Sequence, residues 1–246
     1  MKYSTILWAL VSSLTILTSE AQALIQIPYQ MSTADMNKAL QIFGYGSATK
    51  VLDDPYPLGG YDGLEIGFSN ETMHTDRISS LGAGATQQSQ TSYQSVTLGK
   101  GIYNNIDTFV SFSLLGQAEN ISEVGGQIRW GFFQASYLPI YLSWILHGNT
   151  FNCQNLIVTN SLGMDLIAGF KEGDVTLYFG GGPIRASGNF TGGIGGITSS
   201  GQTQGIGILD SRFLAGLNIK FGKYFVVGEI DNYASAAYAA KIGYRY

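Results

Sequence analysis

The stretch Ala236-Ala237-Tyr238-Ala239-Ala240-Lys241-Ile242-Gly243-Tyr244-Arg245-Tyr246 closes the sequence and decides its reading. In an extended chain successive side chains point to opposite faces. Tyr238, Ala240, Ile242, Tyr244 and Tyr246 then share one face, and Lys241, Gly243 and Arg245 share the other. One face is wholly apolar and aromatic, and the other carries cations. This is the apolar-out, polar-in alternation of a transmembrane β-strand.

The same period of two recurs upstream. Phe213, Ala215, Leu217, Ile219 and Phe221 alternate with Arg212, Leu214, Gly216, Asn218 and Lys220, and Leu64, Ile66 and Phe68 alternate with Glu65, Gly67 and Ser69. The pattern predicts an all-β fold, a single antiparallel transmembrane β-barrel. Strands are expected at about 61–73, 91–101, 106–115, 122–135, 140–148, 156–170, 175–185, 207–221, 224–233 and 236–246, with eight or twelve strands as alternatives to ten. The connections offer a check independent of hydropathy. If the first strand runs outward, tight turns at Asn104-Asn105, near Leu138-Pro139, at Lys171–Asp174 and at Gly222-Lys223 all fall on the periplasmic side. The long connections, about 74–90 and 186–206, both fall outside, which is the asymmetry of such barrels.

Composition agrees. Of 246 residues, 12% are charged and 45% hydrophobic, with 33 Gly and 15 Tyr. The charged share is about half the ~25% of soluble domains. A soluble sandwich would place Lys and Glu on its outer faces, whereas both faces here lack charge except for scattered single residues. In lipid every backbone group must pair internally, which for strands requires closure.

A terminal aromatic preceded by apolar residues at every second position resembles the C-terminal strand of the small bacterial outer-membrane β-barrels, the porin-like superfamily. Tyr238, Ile242, Tyr244 and Tyr246 carry that resemblance as a candidate assembly signal. It implies a bacterial outer membrane, contact with its lipid, and insertion by the barrel-assembly machinery.

The N-terminus is read differently. Lys2, the apolar run Ile6–Leu17 and the small-x-small site Ala21-Gln22-Ala23 predict a signal peptide over 1–23, with Leu24 as the first mature residue. Residues 24–60 form an N-terminal periplasmic or plug segment, and 61–246 the barrel. Within that segment Met36, Ala39, Leu40 and Phe43 recur at helical spacing after a candidate cap at Thr33 or Asp35, which predicts a short amphipathic helix. The favoured placement is at the barrel mouth or free in the periplasm; the alternative is a plug in the lumen. Removing 1–23 takes away Lys2 and Glu20, so the net charge of −4 is unchanged. That balance gives no basic footprint for nucleic acid.

If the apolar parity faces lipid, the opposite parity lines the lumen. The lumen-lining candidates are Glu65, Arg129, Asp165, Arg212, Lys220, Glu229, Lys241 and Arg245, together with Glu71 and Gln127. A barrel of eight to ten strands is barely wide enough for side chains, so these charges are expected to pair; the alternative is a narrow pore lined by them. No metal-type spacing, phosphate loop or dinucleotide fingerprint is present, and the glycines of 188–207 read as a mobile outer loop. No cofactor is expected. His74 and His147 are the histidines available as bases, both expected at the outer rim, but no nucleophile motif flanks either. Three functions are compatible with the pattern: a structural or narrow porin-like barrel passing small solutes, a surface adhesion or partner-binding barrel using loops 74–90 and 186–206, and, less favoured, an outer-membrane hydrolase. The expectation is a protein that is not an enzyme.

Overall fold

A computed structural model describes residues 25–85, 89–114, 120–233 and 236–246; the expected signal peptide lies outside them. The described chain is one closed antiparallel barrel of ten strands, each hydrogen-bonded to its sequence neighbours, with the last pairing back to the first. The strands are β1 (Leu64–His74), β2 (Gln90–Tyr103), β3 (Ile106–Ser113), β4 (Ile121–Gln134), β5 (Ile140–Cys153), β6 (Ile157–Glu172), β7 (Val175–Phe190), β8 (Gln204–Phe221), β9 (Tyr224–Asn232) and β10 (Ala236–Arg245). Closure runs through β1 and β10, from Glu65↔Arg245 to Met73↔Ala237. The Tyr246 N–H donates to the Leu64 carbonyl and extends that seam by one bond.

The alternation sets the facing. On β8, Phe213 and Leu217 are exposed on the outside, while Arg212, Leu214 and Asn218 are buried. On β1, Leu64, Ile66 and Phe68 point out and Glu65 points in. Large apolar side chains thus cover the exterior of nearly every strand, the reverse of a water-soluble barrel. At one end the strands are joined by tight turns, several with a residue in the left-handed region: Asn104 (φ 37°), Gly173 (φ 57°) and Gly222 (φ 67°). By the rule of short inner turns, this is the periplasmic end.

The strand boundaries differ from expectation at both ends: β1 begins only at Leu64, after a 3-10 turn at Gly60–Asp62, and the larger differences lie on the outer side. β5 continues to Cys153, β7 to Phe190 and β8 starts at Gln204, so the second long loop shrinks to 191–203. Glycine lowers strand propensity, which hid the extensions of β7 and β8, but Ser187↔Gly207 and Gly188↔Ile206 pair across them regardless. The consequence is a continuous outer wall from β4 to β8, paired out to Ile121↔Cys153, Cys153↔Ile157, Ile157↔Phe190 and Phe190↔Gln204.

The N-terminal segment divides between the two placements: its helix lies at a barrel mouth, the outer one, and the residues after it take the alternative, inside the lumen. Its helix, α1 (Thr33–Leu40), begins at a capping box: Ser32 accepts from the Asp35 N–H, and Asp35 accepts from the Ser32 N–H. After α1 the chain makes one wider π-helical turn, Gln41–Tyr45. Met36, Leu40 and Phe43 pack with Phe151, Ile157, Ala186 and Phe190, all on the outer stretches of β5, β6 and β7. The helix therefore sits inside the outer mouth, opposite the end where β1 begins. Residues 46–58 then run down the lumen and leave at the periplasmic side, where Gly60 lies against Gly101 of β2. A Cβ on Gly101 would come 1.9 Å from the Gly60 carbonyl oxygen, so only glycine admits this crossing.

Candidate functional site: the threaded lumen and the outer mouth

The lumen is a ladder of ion pairs between the wall and the threaded segment. Nearest the periplasm, Asp54 accepts from Lys220 (2.6 Å) and from the Tyr141 hydroxyl (2.7 Å), with Lys171 at 3.6 Å. Its neighbour Asp53 accepts from Arg129 (2.9 Å) and from Arg245. Arg245 also donates to Glu65 (2.9 Å), whose second oxygen takes Lys241 (2.7 Å). Lys241 reaches this position over Gly67: a Cβ there would fall 2.1 Å from the lysine stem.

Higher up, Glu229 reads the backbone of the segment. Its two carboxylate oxygens accept from the Val51 N–H (3.0 Å) and the Leu52 N–H (2.8 Å), as well as from the Tyr178 hydroxyl (2.6 Å). Arg212 joins the wall together, donating to Glu229 (3.2 Å), Asp231 (3.1 Å), Asp165 (3.1 Å) and the Thr49 carbonyl (2.8 Å). Lys50, carried by the segment, pairs with Asp231 at 3.2 Å and Glu71 at 3.9 Å. Its ammonium also donates to the carbonyls of Gly46 and Ala48. A buried charge is tolerable only when paired and hydrogen-bonded, and each rung meets that condition with a partner from the segment or the wall.

The structure places all eight candidates on the lumen side. Glu65, Arg129, Asp165, Arg212, Glu229 and Lys241 are buried, and Lys220 and Arg245 are 18% and 15% exposed at the side chain. They form groups instead of one site. Glu65, Lys241 and Arg245 meet; Asp165, Arg212 and Glu229 meet; Arg129 and Lys220 pair with the threaded segment. Gln127 donates to the Lys50 carbonyl (3.3 Å). The partners missed from sequence are Asp231 of β9, which shares the parity of Glu229, and the segment's Lys50, Asp53 and Asp54. One signal for the segment existed: two adjacent acids before Pro55 in a chain so poor in charge. Of the candidate assembly residues, Tyr238 and Tyr246 are exposed on the outside, and Ile242 and Tyr244 are half-buried on the same face.

His147 is not at the rim. Because β5 runs five residues past the expected end, His147 lies in the lumen, 2% exposed, with Nε2 3.2 Å from Asp165 and 3.3 Å from Arg212. His74 stays at the outer end of β1, its ring against Tyr238. The two imidazoles therefore do not share a site. Beside the threaded segment, the cavity bounded by Lys50, Glu71, Phe109 and Gln127 measures about 10 Å³, close to the room of one water. Another, of about 70 Å³, opens at the periplasmic end between Tyr56, Asn105 and Tyr141. Among the described residues no group of three His, Cys, Asp or Glu side chains is placed to hold a metal ion.

At the outer mouth the first described residues tie the loops together. Tyr29 pairs antiparallel with Ala83, and Met31 pairs parallel with Thr198. Gln154, in the β5–β6 turn, donates to the Ile25 carbonyl (2.7 Å). The arm 25–31 thus clips the β1–β2 connection to the glycine-rich connection between β7 and β8.

No family model and no curated protein matches the chain. Solved structures similar to it are bacterial outer-membrane barrels. The attachment invasion locus protein Ail of Yersinia pestis is 14% identical, with 75% of this chain and 97% of that one covered and a TM-score of 0.33. The N-terminal β-barrel domain of Pseudomonas aeruginosa OprF is 11% identical over 76% and 99%, TM-score 0.35. The translocator domain of the autotransporter NalP from Neisseria meningitidis is 12% identical over 87% and 95%, TM-score 0.40.

Proposed function

We propose that this protein is an outer-membrane barrel sealed by its own N-terminal segment, acting at the cell surface as an adhesion or partner-binding barrel and not as an enzyme. The membrane assignment rests on the closed wall with its apolar exterior, since closure is what lipid demands of strands. The observation that carries the sealed reading is the passage of residues 46–58 through the lumen on paired charges. A ten-stranded barrel has little interior to spare, and the segment fills it. What remains for contact with the surroundings is the outer end: the connections 75–89 and 191–203, clipped together by the arm 25–31. Passage of small solutes is the reading this disfavours. Hydrolysis is disfavoured too, because His147 is enclosed with its ion-pair partners and has no room for a substrate.

The deciding experiment is conductance of the purified full-length protein in planar bilayers. The intact chain should be silent, and a variant with 47–57 replaced by a shorter Gly-Ser linker should show steps. Steps from the intact chain would overturn the sealed reading. The path of the segment adds a topological check. An epitope inserted just before Ile25 should bind antibody on intact cells, whereas one in the turn at Gly222-Lys223 should not.

A further inference from the structure

β8 has eighteen residues and β9 has nine. On one side β8 pairs with β7 without a break from Val175↔Ile219 to Phe190↔Gln204. On the other side β9 accompanies it only from Phe221↔Tyr224 to Phe213↔Asn232. From Gln204 to Arg212 that second edge has no backbone partner among the described residues. At about 3.3 Å per residue this is close to 30 Å of open strand. It lies beyond the nine paired residues of β9, themselves about the length that crosses a bilayer, and so on the outer side.

The direction of the free groups can be read. The Lys220 N–H donates toward β7, to the Asp174 carbonyl. Since the β7–β8 register carries no shift, the even positions of β8 face β7 and the odd positions face the open edge. The free donors are therefore the N–H groups of Gly205, Gly207 and Leu209; that of Ser211 is turned back onto the Asp210 carboxylate (2.7 Å). Edges are usually protected by charged residues, proline or a covering element. Gln204–Leu209 (QGIGIL) carries no charge and no proline, the charges Asp210 and Arg212 stand only at its membrane end, and α1 packs against the strand from the lumen side. Ile206 and Ile208 pack inward on the mouth cluster, while Leu209 is 74% exposed outside.

We propose that this edge is a binding site for an extended, uncharged, apolar peptide segment of a partner protein, which adds to β8 as an antiparallel strand. The added strand continues the line of β9 upward from Asn232, so the site prolongs a pairing already present in the barrel. Strand addition supplies main-chain hydrogen bonds for affinity and alternate side chains for selection. Here one face of the partner covers Ile206 and Ile208 and the other lies beside Leu209. A second copy of this chain fits poorly: two copies in one membrane share orientation, so their β8 strands run the same way and cannot extend an antiparallel ladder. The inference deepens the surface-binding reading and rests on it, but is separable from it, since a silent barrel with a covered edge would overturn only this one.

The test is amide hydrogen exchange on the purified barrel in detergent micelles, with a capped heptapeptide of alternating valine and threonine as probe. Alone, the amides of Gly205, Gly207 and Leu209 should exchange at least tenfold faster than those of Ile206 and Ile208. Saturating peptide should slow them at least tenfold. Leu209→Pro removes an edge donor and leaves the β7 ladder whole; it should weaken peptide binding at least tenfold while heat-modifiable migration on gels is kept. Leu209→Lys, which retains the N–H, should weaken it several-fold and serves if the proline variant fails to fold. Three results would overturn the proposal: edge amides already protected in the monomer, protection that rises with protein concentration, or unchanged peptide binding by the substituted edge.

Discussion

The barrel wall and the segment threaded through it meet opposite demands. The wall buries its charges inward and shows its apolar residues to the outside, so its sequence carries a period of two over ten strands. The segment 46–58 has no lipid to face and no ladder to join. Its conformation is held by Lys50, Asp53 and Asp54, whose ion-pair partners lie between 21 and 192 positions away in sequence. Periodic burial is local and legible; burial by pairing depends on residues that only the fold brings near. The two regions should therefore fail in different ways and by different amounts.

The largest effect should come from the wall. Deleting Tyr244–Tyr246 removes one end of the seam between β10 and β1 and leaves backbone groups unpaired in lipid, at several kcal/mol each. It also removes Arg245, the link between Glu65 and Asp53. The truncated protein should fail to insert, lose heat-modifiable migration and accumulate in the periplasm or be degraded. Removing Gly192–Ile194 from the outer connection should leave insertion intact. A terminal truncation that still inserts would mean that this strand does not close the barrel.

Wall and segment differ equally in how far the sequence reveals them. β10 could be read because its apolar parity is unbroken from Tyr238 to Tyr246, and the eight lumen candidates came from the same parity. The outer ends of β5 (149–153), β7 (186–190) and β8 (204–206) could not. Glycines at 188 and 205 mimic a loop, and only the paired neighbour shows them to be strand. His147 was misplaced because the polar run Asn149-Thr150-Phe151-Asn152 hides the continuation of β5, which only its pairing with β6 shows. α1 was visible in its spacing, but nothing in an amphipathic stripe says which end of a barrel it occupies. Its position is set by the residues after it, which must traverse the lumen before β1 can begin.

The segment should answer more weakly than the seam but still strongly. Asp53→Ala leaves Arg129, which is 2% exposed at the side chain, without its carboxylate. Breaking a buried pair on one side costs about 3–5 kcal/mol. Guanidinium unfolding of the protein in lipid vesicles should show a loss of that order, and the variant should conduct in bilayers if the segment loosens. Asp53→Asn, which keeps the shape and some hydrogen bonding, should lose less. Equal stability of Asp53→Ala and the unmodified protein would mean that the segment is not held by its charges.

On the exterior, Arg at Leu217 should cost about 2–4 kcal/mol near the midplane, because Leu217 is exposed on the outside opposite Gly228 in the middle of β9. The comparison substitution is Tyr137→Arg in the periplasmic turn, which is 99% exposed and should cost almost nothing. Asn218 is no tolerant control, being fully buried on the lumen side. Equal costs at Leu217 and Tyr137 would place the apolar exterior in water.

The smallest effect belongs to the outermost part of the segment, where α1 starts in contact with solvent. Ser32 and Asp35 satisfy one another's N–H groups, and losing such a cap costs about 1 kcal/mol. Ser32→Ala should therefore lower stability by no more than that, well below the effect of Asp53→Ala. The capping contacts with Ser32, opposed by the slight burial of the carboxyl, hold Asp35 below the ordinary carboxylate range. A depressed folded value means the contribution is fully present above the unfolded value of 3.8 and fades as the pH falls through the folded one. Amide exchange of the first turn of α1 should accordingly be flat from neutral pH down to about 4 once corrected for intrinsic rates. It should quicken below that, and Ser32→Ala should shrink the pH step, because it removes the hydroxyl contact and keeps the backbone N–H that Asp35 accepts from. A step undiminished in Ser32→Ala would trace the acid sensitivity to the lumen charges instead, and would mean that the mouth and the threaded stretch open together.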